Sequence, residues 1–240
     1  KLDGKELVDF YNTAINTAPV FINYVGEADI EYIEQCIADH LPFKPRSAKL
    51  PAPTVHIPRP ELMRVTESME IEQSILILGF NLKMPNGARD RAILSVYDEI
   101  LGGSQSSKLF MNVREKEGLC YYCSSYPSGR KNVLFITCGL ENGFEEKATD
   151  AILLQVDAMK KGDFTDTELE NAKQSIIRSV SCVGSSLASA NGYMLGQALL
   201  DDSVTIEENI ALISAVTREQ VVEWANTVEP ELIYILGDFE

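Results

Sequence analysis

Few residues in this chain have the type and spacing to do chemistry, and most fall in one stretch, Leu101 to Tyr126, LGGSQSSKLFMNVREKEGLCYYCSSY. Arg114 offers several N–H donors suited to a peptide carbonyl, and Tyr121 carries a phenol able to donate to a developing oxyanion. His40 and His56 are the only histidines, and neither has a partner one helical turn away, so histidines cannot build a zinc site here. His40 is expected at a helix end, where a cation is favourable, and His56 facing solvent in a linker. The chain has no Gly-x-Ser-x-Gly nucleophile turn and no phosphate loop, and Gly102–Gly103 lacks the spacing of a dinucleotide turn. Cys120 and Cys123 form a C-x-x-C, but on a strand residues three apart point to opposite faces. With Cys36, Cys138 and Cys182 they are expected to be structural thiols in a reducing cytosol.

Particular elements must place Arg114 and Tyr121. Gly102 and Gly103 end a helix predicted over 88–100, and Ser106 or Ser107 can cap the next by accepting from its first free N–H groups. Leu109, Phe110 and Val113 form a helical stripe facing a core, which leaves Arg114 on its flank. Gly118 stops that helix. Residues 119–126 then alternate as a strand, with Leu119, Tyr121 and Cys123 on one face and Cys120 and Tyr122 on the other. Arg114 and Tyr121 could thereby converge.

The run GGSQSSKLFMNVREKEGLCY resembles the signature of the non-catalytic domains in the pitrilysin and mitochondrial processing peptidase family of inverted-motif zinc metallopeptidases. There a glycine pair, Ser-Arg-Leu-Phe, Arg-Glu-Lys and Gly-Leu-x-Tyr follow in this order, and Lys108 stands where the family usually has arginine. The resemblance implies an α+β fold, a two-layer sandwich of a mixed, mostly antiparallel sheet with helices packed on one face. Catalysis in the family uses H-x-x-E-H on a helix, two imidazoles on one face with a glutamate beside the metal-bound water. This chain lacks that motif. The resemblance therefore implies no catalytic residue, metal ligand or cofactor in this chain, and zinc in a missing catalytic domain or a partner chain. It further implies that Arg114 and Tyr121 bind the substrate backbone opposite that zinc. The implied function is the substrate-clamping domain of a zinc metalloendopeptidase (a hydrolase) acting on unfolded peptides, inactive alone. A structural or scaffolding subunit and a free-standing peptide-binding module are the alternatives.

Composition agrees with a globular chain of another class than nucleic-acid or membrane binders. Lys plus Arg number 21 against 36 Asp plus Glu in 240 residues, a net charge of −15 that repels phosphate backbones and anionic membranes. No run approaches the roughly 18 apolar residues of a membrane span, and no secretion signal is evident, so a cytoplasmic location is expected. Six of the ten prolines lie between Pro42 and Pro60, which predicts an extended linker over 46–60. Ahead of it, 3–16 and 29–40 read as helices and Val20–Val25 as a strand. Beyond it, 69–83 reads as a long inner strand, 132–140 as a strand in a hairpin with 119–126, and 148–159 as an amphipathic helix. Thr165/Glu168, Thr205/Glu208 and Thr217/Gln220 are capping boxes, and 232–236 closes the chain as a strand. Residues 218–240 weakly echo 5–29 in the order helix, strand, glycine, acid, so 1–45 is expected to be the tail of a preceding domain and 61–240 a full non-catalytic domain. An apolar tail without its own domain needs cover, with homo-oligomer formation as one source.

Overall fold

The computed structural model describes residues 3–41, 56–59, 61–200 and 202–239. Of the expected linker 46–60, only 56–59 lie among them. The described residues form two compact units, one of 3–41 with Val183–Leu199, the other of 56–59 and 61–182 with 200 and 202–239.

In the first unit, α1 (Gly4–Thr17) starts at Asp3, whose carboxylate accepts from the Lys5 and Glu6 N–H groups while Glu6 reaches back to the Asp3 N–H. The helix α2 (Ile30–His40) is capped by Asp29, and His40 Nδ1 lies 3.0 Å from the Cys36 carbonyl, placing His40 at the helix end. Asn23 Nδ2 donates to the Asn191 side chain at 2.6 Å, tying the segment after α1 to α6 (Leu187–Ala198). Gly184 sits in the short turn before α6, but Gly192 and Gly196 lie inside that helix. No residue of α1, α2 or α6 is buried, and Phe10 is 71% exposed. The expected strand Val20–Val25 does not form: the segment is irregular, because a strand needs a ladder partner and the described residues offer it none.

The second unit holds one five-stranded sheet in the order β1-β5-β2-β4-β3. Its strands are β1 (Met63–Ser68), β2 (Ser74–Asn81), β3 (Tyr122–Ser128), β4 (Val133–Leu140) and β5 (Glu229–Gly237). β1 runs parallel to β5 and every other pair is antiparallel, so the sheet is mixed and mostly antiparallel. Strand alternation puts Leu76, Leu78 and Phe80 of β2 and Leu134, Ile136, Cys138 and Leu140 of β4 on one face, each at most 1% exposed. Over that face lie α3 (Gly87–Asp98), α4 (Glu145–Lys161), α5 (Asp166–Ser181), α7 (Ile206–Ser214) and α8 (Arg218–Ala225). The opposite face keeps Phe135, Tyr122 and Tyr126 exposed. The unit is the expected α+β sandwich with its helices on one side.

Local signals shaped the helices as anticipated. Thr165/Glu168, Thr205/Glu208 and Thr217/Gln220 all close as capping boxes, and Ala148, Ile152, Val156 and Met159 of α4 are buried. The long strand expected over 69–83 is shorter, because a bend at 70–73 separates β2 from β1, which the sequence reading passed over. His56 is also not a solvent-facing linker residue. Its ring contacts the Glu231 carboxylate, its N–H donates to Asn132 Oδ1 at 3.0 Å, and the Arg59 N–H donates to Glu231 at 2.8 Å, so 56–59 are pinned against β5. No helix among the described residues is long and apolar enough to cross a membrane.

Where α3 meets β3 the packing is tight. After Asp98 the helix widens into a π turn, Glu99–Gly103, and a Cβ on Gly102 would stand 2.6 Å from Ser125 Oγ and 2.7 Å from the Ser125 backbone nitrogen. Only hydrogen fits there. Gly102→Ala should therefore cost about 1–3 kcal/mol, measured as a drop in the denaturant midpoint, whereas Gly143→Asn, at an open turn with φ +94°, should cost less. Beneath the same turn the Ser125 hydroxyl donates to Asp98, whose carboxyl burial pushes up to about 7, with Ser125 opposing and Glu99 adding to the rise. Because the folded pKa lies above the free value of about 4, the stability of holding the neutral acid is complete below pH ~4 and fades as pH rises to ~7, at up to about 1.4 kcal/mol per pH unit. Asp98→Asn should thus raise the melting temperature at pH 8 and leave it nearly unchanged at pH 4; an equal shift at both would refute the assignment.

Candidate functional site

The glycine pair, the following helix and the start of β3 enclose one cavity of about 430 Å³. Its walls include Gly103, Ser104, Phe110, Arg114, Tyr121 and Tyr122. Arg114 and Tyr121, singled out from the sequence, thus line the same space.

Each side chain is placed by a local cause. Ser107, rather than Ser106, caps the helix: its Oγ accepts from the Phe110 N–H at 3.4 Å. From Leu109 to Lys116 the helix is wound as a π-helix, and the Glu117 N–H reaches back five residues to the Asn112 carbonyl at 3.1 Å. Leu109 and Val113 are fully buried, whereas Phe110, expected on the same buried stripe, is half-exposed at the cavity wall. The wider winding turns Phe110 out of the stripe that an α-helical spacing predicts. Asn112 Nδ2 donates to Gln155 Oε1 at 2.7 Å and so fastens this helix to α4. Gly118 then ends it in the left-handed region, φ +62°, as anticipated.

Lys108, the departure from the family signature, is nearly buried and pairs with Glu168 at 3.4 Å. Burial works against the Glu168 charge, yet donors from Thr165 and the Lys108 ammonium hold its carboxyl below the usual range. Lys108 therefore braces the helix against the capping box of α5 and is not available to a ligand.

The Arg114 guanidinium lies over the Phe110 ring at 4.6 Å from its centroid and 3.5 Å from Glu115. A guanidinium over a ring face keeps its in-plane N–H groups available for hydrogen bonding, one of them here beside Glu115. Tyr121 is 54% exposed, and among the described residues its hydroxyl has no hydrogen-bond partner, while its backbone N–H donates to the Gly139 carbonyl at 2.8 Å. The Arg114 cation and a phenol whose hydroxyl has no partner among the described residues share a wall that includes the exposed ring of Tyr122. Such a wall can hydrogen-bond a backbone carbonyl and cover apolar side chains.

The face assignment for this segment needs correction. The chain bends at Tyr121 and the strand starts at Tyr122, so Tyr121 is exposed and does not share the buried face of Leu119 and Cys123. Cys120 lies ahead of that bend, outside β3, and is partly buried against the core. All five cysteines are free thiols, but only Cys123 and Cys138 are buried. The exposure of Phe110 and of Tyr121 is not legible in the sequence, because a π-helix and a one-residue bend both break the periodicities on which such a reading rests. Among the described residues, no group of three or more His, Cys, Asp or Glu side chains is placed to hold a metal ion. The donor set does not fit zinc, because neither His40 nor His56 belongs to such a group.

Comparison with known proteins agrees with this architecture. The chain is 25% identical over 239 residues to a probable inactive metalloprotease, YmfF, of Bacillus subtilis (strain 168), an alignment that takes in all of this chain and 56% of that protein. It is 33% identical over 164 residues to an uncharacterized zinc protease, YmxG, of the same organism, over 66% of this chain and 39% of that one. The chain spans about half the length of the curated relatives it matches. Among solved structures, a conserved protein from Enterococcus faecalis V583 superposes with a TM-score of 0.87 at 25% identity, over all of this chain and 56% of its own. A family model described as the peptidase M16 inactive domain matches residues 1–176, most of the α+β unit and the whole cavity included. A chain with this sheet and no metal-binding motif, matched over that span, belongs to the peptidase M16 inactive-domain family of the zinc proteases.

Proposed function

We propose that this chain is the substrate-clamping, non-catalytic domain of a zinc metalloendopeptidase and that it binds the extended backbone of an unfolded peptide. The observation that carries this reading is the presence of Arg114 and Tyr121 in the wall of one cavity, the Tyr121 hydroxyl without a partner among the described residues and the Arg114 guanidinium held over Phe110 and beside Glu115. An extended peptide presents unpaired carbonyls along its length, and the in-plane N–H groups of Arg114 and the Tyr121 hydroxyl suit them. The exposed rings of Tyr122, Tyr126 and Phe135 continue the same side of the sheet and would cover apolar side chains of the peptide. The zinc would be held by a catalytic domain or a partner chain, and hydrolysis belongs to that unit. Residues 1–45 are the tail of a preceding domain in this reading, and 61–240 the clamping domain. The exposed apolar side chains of α1 and α2, Phe10 and Tyr32 among them, then rest against that preceding domain or a second copy. Five free thiols accord with a cytoplasmic location.

A second reading is favoured by one finding. The relative matched over the whole chain is named a probable inactive metalloprotease, which supports a scaffolding subunit without peptidase activity. The two readings part on one measurement in the full-length protein assembled with its zinc-bearing domain. Arg114→Ala and Tyr121→Phe should each lower kcat/KM for an unfolded peptide about 10- to 100-fold at unchanged melting temperature. Retained cleavage by folded variants would remove the site assignment, and absence of both cleavage and peptide binding in the wild-type assembly would favour the scaffold.

A further inference from the structure

The face of the sheet turned away from the helices carries a channel that crosses the strands. Register places Tyr122 opposite Gly139, Ser124 opposite Thr137 and Tyr126 opposite Phe135, and continues these rows onto β2 at Ile75, Ile77 and Gly79. Gly139 has no side chain, and the Tyr122 ring fills the place: a Cβ on Gly139 would stand 2.2 Å from Cε1 and 2.8 Å from Cζ of that ring. The ring therefore lies across β4, an arrangement that only glycine admits. Two rows away, Phe135 stands beside Tyr126 and reaches toward Gly79, where a Cβ would be 3.6 Å from its Cε1. Two aromatic rails thus run over the sheet, and the floor between them is Ser124 and Thr137, ending at Ile77. At about 3.4 Å of rise per residue the rails are about 13 Å apart at the main chain, which leaves room between the rings for one flat side chain. Tyr122 and Ser124 also line the cavity that holds Arg114 and Tyr121, so the channel opens from it. We propose that this channel is a side-chain subsite for the bound peptide and that it selects tyrosine over phenylalanine; the inference rests on the peptide-binding reading of the cavity.

The rails favour an aromatic guest and the floor decides which one. Tyr122, Tyr126 and Phe135 are all exposed, so their ring surfaces meet whatever enters, and rings gain from offset or edge-on contact beyond the area they bury. Shape alone does not separate tyrosine from phenylalanine. The hydroxyls of Ser124 and Thr137 do: they are register partners, partly exposed, and without a hydrogen-bond partner among the described residues. A side chain lowered between the rails brings its tip to them. A phenol there both donates and accepts, whereas the edge of a phenylalanine ring displaces their water and leaves two polar groups unpaired. Selection by polar groups that the wrong ligand strands is stronger than selection by fit alone. Gly139 is a positioning residue in this arrangement, since any side chain on it pushes the Tyr122 ring off β4 and opens one rail.

The test uses the full-length protein assembled with its zinc-bearing domain and an unfolded peptide of small residues in which tyrosine, phenylalanine or alanine is placed at each position in turn. At one position kcat/KM should fall in the order tyrosine, phenylalanine, alanine, with tyrosine about 3- to 10-fold above phenylalanine. Thr137→Val combined with Ser124→Ala should bring the tyrosine-to-phenylalanine ratio to about 1 while both rings stay ahead of alanine. Tyr122→Ala should remove the lead of both rings over alanine at unchanged melting temperature, and Gly139→Ala should do the same; should the glycine variant misfold, Tyr122→Ala carries this arm. Equal cleavage of the three peptides at every position by the wild-type protein, with Arg114→Ala still lowering cleavage, would overturn the channel and leave the peptide-binding reading standing. A tyrosine preference that survives in the Thr137→Val, Ser124→Ala variant would overturn the channel as well. Absence of both cleavage and binding for every peptide would remove the two readings together.

Discussion

The contact on which the rest of the α+β unit depends is the approach of the π turn after α3 to the backbone of β3, where Gly102 leaves no room for a side chain. That closeness holds the end of the helix layer directly against the sheet edge. It sets the Ser125 hydroxyl on the Asp98 carboxyl, and it places Ser104 and the π-helix across from Tyr121 and Tyr122. The cavity is therefore a by-product of helix-to-sheet packing. Its walls rest on side chains that are fully buried, Leu109 and Val113 behind one and Cys123 behind the other. Buried anchors of this kind hold exposed groups in place without fixing their donors.

Polar groups under the cavity show where packing took precedence over hydrogen bonding. Tyr97, wholly buried beside Asp98, has no partner for its hydroxyl among the described residues, and burial followed by the Asp98 charge pushes its phenol far upward. Lys108 illustrates the opposite solution. A cation taken into the helix layer is matched by Glu168, itself secured by Thr165, so a capping motif far along the chain steadies the helix that carries Arg114.

The sequence made legible whatever is decided within a few residues. Capping boxes at Thr165, Thr205 and Thr217, the stop at Gly118 and the buried stripe of α4 depend on neighbours three or four positions away, and all are present. The twenty-residue signature likewise pointed to the fold and to the stretch that lines the cavity. What depended on distant chain was not legible. Residues 20–25 and 232–236 carry similar patterns, yet only the second is a strand, because β1 and β2 flank it and the first has no neighbour to pair with. The exposure of Tyr121 escaped notice for a related reason: a single bend there cancels the alternation that would put it beside Leu119 and Cys123.

The position of β3 has a consequence for how copies of this molecule avoid one another. Among the described residues it pairs only with β4 and forms one rim of the sheet, so its outward main-chain groups can template an extended chain. Pro127, within that strand, contributes no N–H, which limits the run of main-chain donors the strand can extend to an added neighbour. Together with the net negative charge, this interruption works against fibril-like stacking while leaving the first half of the strand open to a short guest.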